Sequence, residues 1–343
     1  MDKSKSVEKL KSVRDVSGIP DRESIISLGR SVLEKEAAAL VDLEKSLGDD
    51  FAAACLTIFT ETRQLVVTGL GKSGHIARKI AATFAATGTP AIFVHPSEAG
   101  HGDMGMIAKG DVLLVLSNSG NTPELQPVMK YARKLGVPII GMASRPTSKV
   151  IQFADIALLL PNVWEACPEN LAPTTSTTMQ LALGDALAMT VMEMRGVTRK
   201  DLRKLHPAGA IGLALTPVQE IMVTDPDRLP LVSHQAGMPE TISVMTSGCF
   251  GMAGVLDTSG ALVGVITDGD LRRRFGLLET AFAHEVMTRT PKVISPDMLA
   301  DEALAFLNDN KISATFVVED PSAGHQPPLG ILHIHDLLRL GLN

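Results

Sequence analysis

Five short apolar runs recur in the first half of the chain: Leu65–Thr68, Ala91–Val94, Val112–Leu116, Val137–Ile140 and Ile156–Leu160. Helical spacing or loop residues fill the intervals, as at His75–Ala86 and Pro123–Leu135. Strands that alternate with helices predict a parallel sheet covered on both faces, because a parallel connection needs a crossover and helices supply it. Upstream, Ser24–Leu47 and Asp50–Thr62 read as helices. Downstream, a long helix is expected from Thr174 or Ser176 to Arg195, with Gly196 as its stop.

The second half repeats itself. Ile221-Met222-Val223 is echoed by Val286-Met287-Thr288, and Leu262–Leu271 by Leu329–Leu337. Gly264 and Gly330, like Asp270 and Asp336, stand 66 positions apart. Two copies of one supersecondary unit bury their apolar faces against each other. The expected organisation of the 343 residues is therefore a flexible polar arm at 1–24 and an α/β domain at 25–208. A linker at 209–217 and repeats at 218–278 and 279–343 follow.

Composition narrows the function. With 10 Phe, 1 Trp and 1 Tyr, aromatic platforms for stacking sugars or bases are not expected. A net charge of −6 disfavours a nucleic-acid partner, yet leaves room for a small phosphorylated ligand at a local positive site. Cys55, Cys167 and Cys249 are far apart, which fits a reducing compartment rather than a disulfide framework or thiolate zinc site. Met1–Asp15 lacks the apolar core of a signal peptide, and no apolar run reaches the length of a membrane span. A cytoplasmic location with no membrane contact is expected.

Two loops carry the chemistry. Gly69-Leu70-Gly71-Lys72-Ser73-Gly74 matches G-x-G-x-x-G between a strand and a helix. A dinucleotide site also wants an acid at the end of the second strand, where Phe93-Val94-His95-Pro96 stands instead. A P-loop would need Gly where Val66 stands. The glycines read as a tight strand-to-helix turn, and Lys72 faces the crevice where ligands bind in such sheets. In the second loop, Ser117-Asn118-Ser119-Gly120-Asn121-Thr122-Pro123-Glu124 leaves a buried strand and enters a helix expected to begin at Pro123. Three hydroxyls, backbone N–H groups and a positive helix end meet there, a combination that suits a phosphate dianion. Helix capping alone needs one Ser or Thr, not the whole run. Glu124 fits the dipole preference of a first turn, and beside a phosphate loop it is also a candidate base.

These two loops resemble those of the sugar isomerase (SIS) domain, and Gly264–Asp270 with its repeat resembles a tandem pair of CBS modules. Their order is that of the D-arabinose 5-phosphate isomerases. Further matching segments are His95–Asp103, Glu165-Ala166-Cys167-Pro168 with Leu171–Thr177, and His206-Pro207-Ala208-Gly209. The resemblance implies an α/β fold: an SIS-type five-stranded parallel sheet flanked by helices, followed by an α+β CBS pair. It implies interconversion of D-ribulose 5-phosphate and D-arabinose 5-phosphate through an enediol, with no cofactor required, supplying Kdo for lipopolysaccharide. Lys72, Glu124, Glu165 and His206 are the implied catalytic residues. Ser73, Gly88, Thr89, His101, Ser117, Asn118, Ser119, Gly120 and Thr122 are the implied substrate contacts.

Residue chemistry agrees without dividing every role. Lys72 suits an enediolate oxygen, Glu124 or Glu165 the base, and His206 a proton shuttle or ring opening. Loop 161–173 reads as a lid. His95, by resemblance, is the position of an inhibitory zinc ion; a catalytic metal is not expected, since no H-x-x-x-H spacing occurs. Cys167 reads as a packing or loop residue. In the repeats, Thr267 and Asp270 are the residue types that hold a nucleotide, whereas the second copy has His333 where Thr would stand. Arg272-Arg273-Arg274 reads as a solvated helix face. A regulatory nucleotide or nucleotide-sugar at the pair, and a homotetramer, complete the expectation. The alternatives are another SIS ketose–aldose phosphate isomerase and a non-catalytic sugar-phosphate sensor.

Overall fold

β1 (Leu65–Gly69) and β3 (Val112–Leu116) run side by side in parallel, with Gly69 opposite Leu116. They form the centre of a five-stranded sheet with β2 (Ala91–Phe93), β4 (Ile139–Ala143) and β5 (Ile156–Leu159), in the order β2-β1-β3-β4-β5. Every pair is parallel. The computed structural model describes residues 21–61, 63–207 and 209–342. The chain divides into two compact units, 1–198 and 199–343.

In the first unit, strand residues alternate between two apolar layers, as the two-residue period of a strand requires. Leu65, Val67, Leu114 and Ile140 pack with α1 (Arg22–Ser46), α2 (Asp49–Glu61), α3 (Gly71–Ala86) and α7 (Thr175–Met194). Val66, Leu113, Val115 and Ile139 pack on the other face with α5 (Leu125–Leu135) and α6 (Lys149–Phe153). A short α4 (Pro96–Ala99) follows β2.

Several boundaries differ from the sequence reading. Most of the arm expected at 1–24 lies outside the described residues, and helix α1 already begins at Arg22 because Asp21 caps it, accepting from Ser24 N at 3.0 Å. α3 begins at Gly71, so Lys72 and Ser73 stand in its first turn. Gly74 permits this close turn: a Cβ there would lie 2.7 Å from Gly69 O. α5 begins at Leu125 rather than Pro123, after tight turns from Leu125 N to Thr122 O and from Gln126 N to Pro123 O.

The second unit starts at Arg199, ahead of the boundary expected at 208. It includes α8 (Arg199–Leu205), tied to the repeats by the Arg203–Glu220 ion pair, and α9 (Ala210–Ala214), a helix where a linker was expected. Two three-stranded sheets share one pattern. β6 (Leu231–Ser233) pairs in parallel with β7 (Met252–Leu256), which pairs antiparallel with β8 (Leu262–Thr267). β9 (Val293–Ile294), β10 (Ala314–Val317) and β11 (Gly330–His333) repeat it. The copies interlock, because Val223 bridges to Ile331 in β11 and Thr288 bridges to Val265 in β8. Phe250, Met252 and Leu262 share a core with Phe316 and Ile331.

Candidate active site at the sheet switch point

All five strands of the first unit are parallel, so their C-terminal ends lie on one edge of the sheet. Chain connections diverge between β1 and β3, and in open sheets of this order that switch point is where ligands bind. The turn carrying Lys72 and Ser73 follows β1, and the loop Ser117–Thr122 follows β3. The Gly69–Leu116 register makes these two segments neighbours. Lys72 is exposed and Ser73 half-buried.

The serine loop is folded on itself. Buried Ser117 Oγ is 2.9 Å from Thr122 Oγ1 and accepts from Gly120 N at 3.1 Å. Asn121 N donates to Ser119 Oγ at 3.3 Å. Ser144 N and Oγ both donate to Asn118 O, and Asn121 Oδ1 accepts from Lys149 N. Gly120 has φ of +66°. Hydroxyls and backbone at the start of α5 are thereby held ready for an anion. Glu124 stands exposed at the N-cap of α5, next to this loop.

Glu165 is held from the other side. Its Oε2 accepts from Thr174 N at 2.8 Å, Ser176 N at 3.1 Å and Thr174 Oγ1 at 3.3 Å, while Oε1 accepts from Ser176 Oγ at 2.5 Å. Burial pushes the carboxyl up, but the bonds from Ser176 and Thr174 together hold it below the ordinary carboxylate range. The carboxylate thus caps the positive end of α7. Helices α3 and α7 run in the same direction, since Ile80 meets Gly184 midway and the residues past both C-terminal ends also meet, Thr89 with Arg195 and Gly88 with Val197. Their first turns, bearing Lys72 and Ser176, therefore lie at the same end of the layer.

His101 is exposed in the turn after α4, on the correct edge. His95 ends the β2 segment and caps α4, its Nδ1 accepting from Ser97 N at 3.3 Å. That leaves Nε2 as its one free donor, and the described residues contain no group of three or more potential ligands. These residues do not form a metal centre by themselves. His206 belongs to the second unit, where its Nδ1 donates to Leu202 O at 2.8 Å and leaves Nε2 open.

Gly88 and Thr89 do not join this site within the protomer. They follow the far end of α3, about 24 Å of helix away from Lys72, and so lie at the opposite edge of the sheet. Buried Thr89 instead accepts from Arg195 Nε at 3.1 Å, which anchors α7. Roles for Ser144, Thr174 and Ser176 were missed by sequence reasoning. The hydroxyl run Thr174–Thr177 at the start of α7 was a signal for the last two, while nothing in the sequence marks Ser144.

In the repeats, the suspected nucleotide residues serve as helix caps. Asp270 Oδ2 accepts from Thr267 N and Oγ1, and Oδ1 accepts from Arg273, at the start of α11 (Asp268–Arg273). In the second repeat an imidazole replaces the hydroxyl. His333 Nδ1 accepts from His335 N at 3.1 Å at the start of α14 (Ile334–Arg339), the last of the fourteen described α-helices once α10 (Met238–Gly248), α12 (Ala283–Val286) and α13 (Ala300–Asn310) are counted. Asp336 accepts from His333 N as Asp270 does from Thr267 N.

The fold and this site define an SIS-domain protein carrying a C-terminal CBS pair: the SIS domain family matches residues 58–190 and the CBS domain family residues 283–343. The chain is 44% identical over 310 residues to the arabinose 5-phosphate isomerase KdsD of Pseudomonas aeruginosa, covering 90% of this chain and 94% of that one. It is 40% identical over 318 residues to KdsD of Escherichia coli K12, covering 92% and 95%. The structure of Escherichia coli CFT073 c3406 in complex with arabinose 5-phosphate is 37% identical with a TM-score of 0.53, covering 55% of this chain and 100% of that chain. The chain belongs to the arabinose 5-phosphate isomerase family.

Proposed function

We propose that the protein interconverts D-arabinose 5-phosphate and D-ribulose 5-phosphate and supplies Kdo and lipopolysaccharide synthesis. The observation that carries this reading is the meeting of a preformed anion loop, Ser117–Thr122, with Lys72 at the β1/β3 switch point. The loop takes the phosphate. Lys72 faces the oxygen that gains charge as a proton leaves the adjacent carbon. Glu124 or Glu165 accepts that proton and returns it to the neighbouring carbon, and His206 assists ring opening. Electrons shift only within the substrate, so the reaction calls for no redox cofactor.

The proposal includes a homotetramer in the cytoplasm. Its support is α1, where Ile25, Leu28 and Val32 are exposed on the face that farther along buries Ala39 and Leu43. No helix among the described residues is long and apolar enough to cross a membrane. The CBS pair is proposed to help assembly and to sense a nucleotide or nucleotide-sugar.

Incubation with ribulose 5-phosphate in deuterated water tests the reaction. Arabinose 5-phosphate carrying solvent deuterium is expected. Binding without turnover would leave the chain a sugar-phosphate sensor.

A further inference from the structure

Gln180 is fully buried on α7, and among the described residues neither its Oε1 nor its Nε2 has a hydrogen-bond partner. A buried primary amide without partners is unfavourable, and an apolar side chain of similar size would avoid that loss. Its position on the helix gives a reason for the amide. Ser176 lies one turn earlier on the same buried face. Side chains four apart on a helix are neighbours, with Cβ atoms about 5–6 Å apart.

A serine hydroxyl has one hydrogen to give. Ser176 gives it to Glu165 Oε1. Glu165 in that state accepts bonds from Thr174 and Ser176 on both oxygens, an arrangement that favours the charged form and opposes uptake of a proton. A carboxylate that serves as a base must give up some of those donors.

We propose that Gln180 is a positioning residue whose Oε1 takes over the Ser176 hydroxyl when substrate binds, releasing Glu165 Oε1 to accept the carbon-bound proton. This rests on reading Glu165 as the proton acceptor of the isomerisation. The exchange breaks one hydrogen bond and makes another, with no covalent change. The C–H bond of the substrate then breaks and its proton goes to Glu165 Oε1. The C–H electron pair forms the enediolate double bond, and the carbonyl π pair goes to oxygen. The hydroxyl proton passes from one enediolate oxygen to the other, the carbon-bound proton returns from Glu165 to the neighbouring carbon, and the carbonyl re-forms on the first carbon, so no co-reactant is consumed. Thr174 N and Ser176 N stay on Oε2 and keep the carboxylate aimed.

The test is steady-state kinetics on the full chain with Gln180→Met, Ser176→Ala and the double variant. Q180M keeps the shape and removes the acceptor. Its kcat is expected to fall about tenfold, the rate equivalent of one hydrogen bond, with KM unchanged. The acid limb of its kcat profile is expected to move to lower pH, because Glu165 stays hydrogen-bonded. Its melting temperature is expected to hold or rise, since a buried unpaired amide is gone. The double variant is expected to match S176A, because Gln180 then has no hydroxyl to take. An unchanged kcat profile in Q180M, a further loss in the double variant, or a lower melting temperature with kcat and KM both impaired would overturn the proposal. Wild-type enzyme that does not turn over ribulose 5-phosphate fails the parent reading instead, and that result appears before any variant is compared.

Discussion

Gly120 stands directly against Ser148: a Cβ on Gly120 would lie 2.1 Å from Ser148 Oγ and 2.5 Å from Ser148 Cβ. Ser148 is buried at the start of α6, and Val150 N donates to Gly120 O at 2.9 Å. The serine loop is thus clamped between two segments, and its φ of +66° at Gly120 excludes an easy replacement. Gly120→Ala is expected to raise KM for the sugar phosphate at least tenfold and to destabilise the fold by about 2–3 kcal/mol. Kinetics and chemical denaturation measure both. An unaltered KM would separate this loop from phosphate binding.

Lys72→Ala removes the cation at the switch point while leaving an exposed first-turn position of α3 otherwise intact. The expected loss in kcat is about 10²–10³-fold, the scale of one electrostatic donor at a developing oxyanion. Helical content by circular dichroism should not change. Full turnover would show that Lys72 has no such role.

Glu165 contributes to stability with a definite pH sign. Its folded carboxyl lies below the ordinary range, with burial opposing and the Ser176 and Thr174 bonds prevailing. The contribution is present above the unfolded carboxylate pKa and is lost as pH falls through the lowered folded value. Glu165→Gln is expected to cost about 1 kcal/mol near neutrality, allowing for partial solvent screening. The gap from the wild type should close as the acid range is entered, which denaturation at several pH values would reveal.

His333 titrates in the same sense for a different reason. Burial first, then the neighbouring His335, lowers its pKa, while Asp336 opposes and Arg339 adds to the lowering. The neutral ring caps α14, and protonation fills the Nδ1 lone pair that accepts from His335 N. Stability is therefore full above the ordinary histidine pKa and falls as pH drops through the lowered folded value. His333→Thr places a hydroxyl at the cap, as Thr267 does in the first repeat. The variant is expected to lose less stability between about pH 7 and 5 than the wild type. Equal acid sensitivity of the two would assign that loss elsewhere.

The exposed face of α1 gives a test of assembly. Leu28→Glu with Val32→Glu places charge on a face that is apolar along the helix. Sedimentation is expected to show a smaller species, because an interface core tolerates unpaired charge poorly. A wild-type sedimentation profile would remove this face from any interface.

Local pattern carried much of the architecture. Apolar runs located every strand of the sheet, and the 66-residue spacing marked the repeat pair. Gly69, Gly71 and Gly74 announced a tight turn, and the serine run announced an anion loop. Such features are legible because periodicity, turn chemistry and capping depend on neighbours in the chain. The strand order was not legible. It is set by which apolar faces pack together, and it alone puts the Lys72 turn beside the Ser117 loop while sending Gly88 and Thr89 to the other edge. The four donors on Glu165 come from residues nine and eleven positions away. No local pattern marks the bare amide of Gln180, which depends on what packs around α7. The sequence determined the pieces and their chemistry. Only long-range packing decided which pieces meet, because burial and hydrogen bonding between distant segments leave no mark in local spacing.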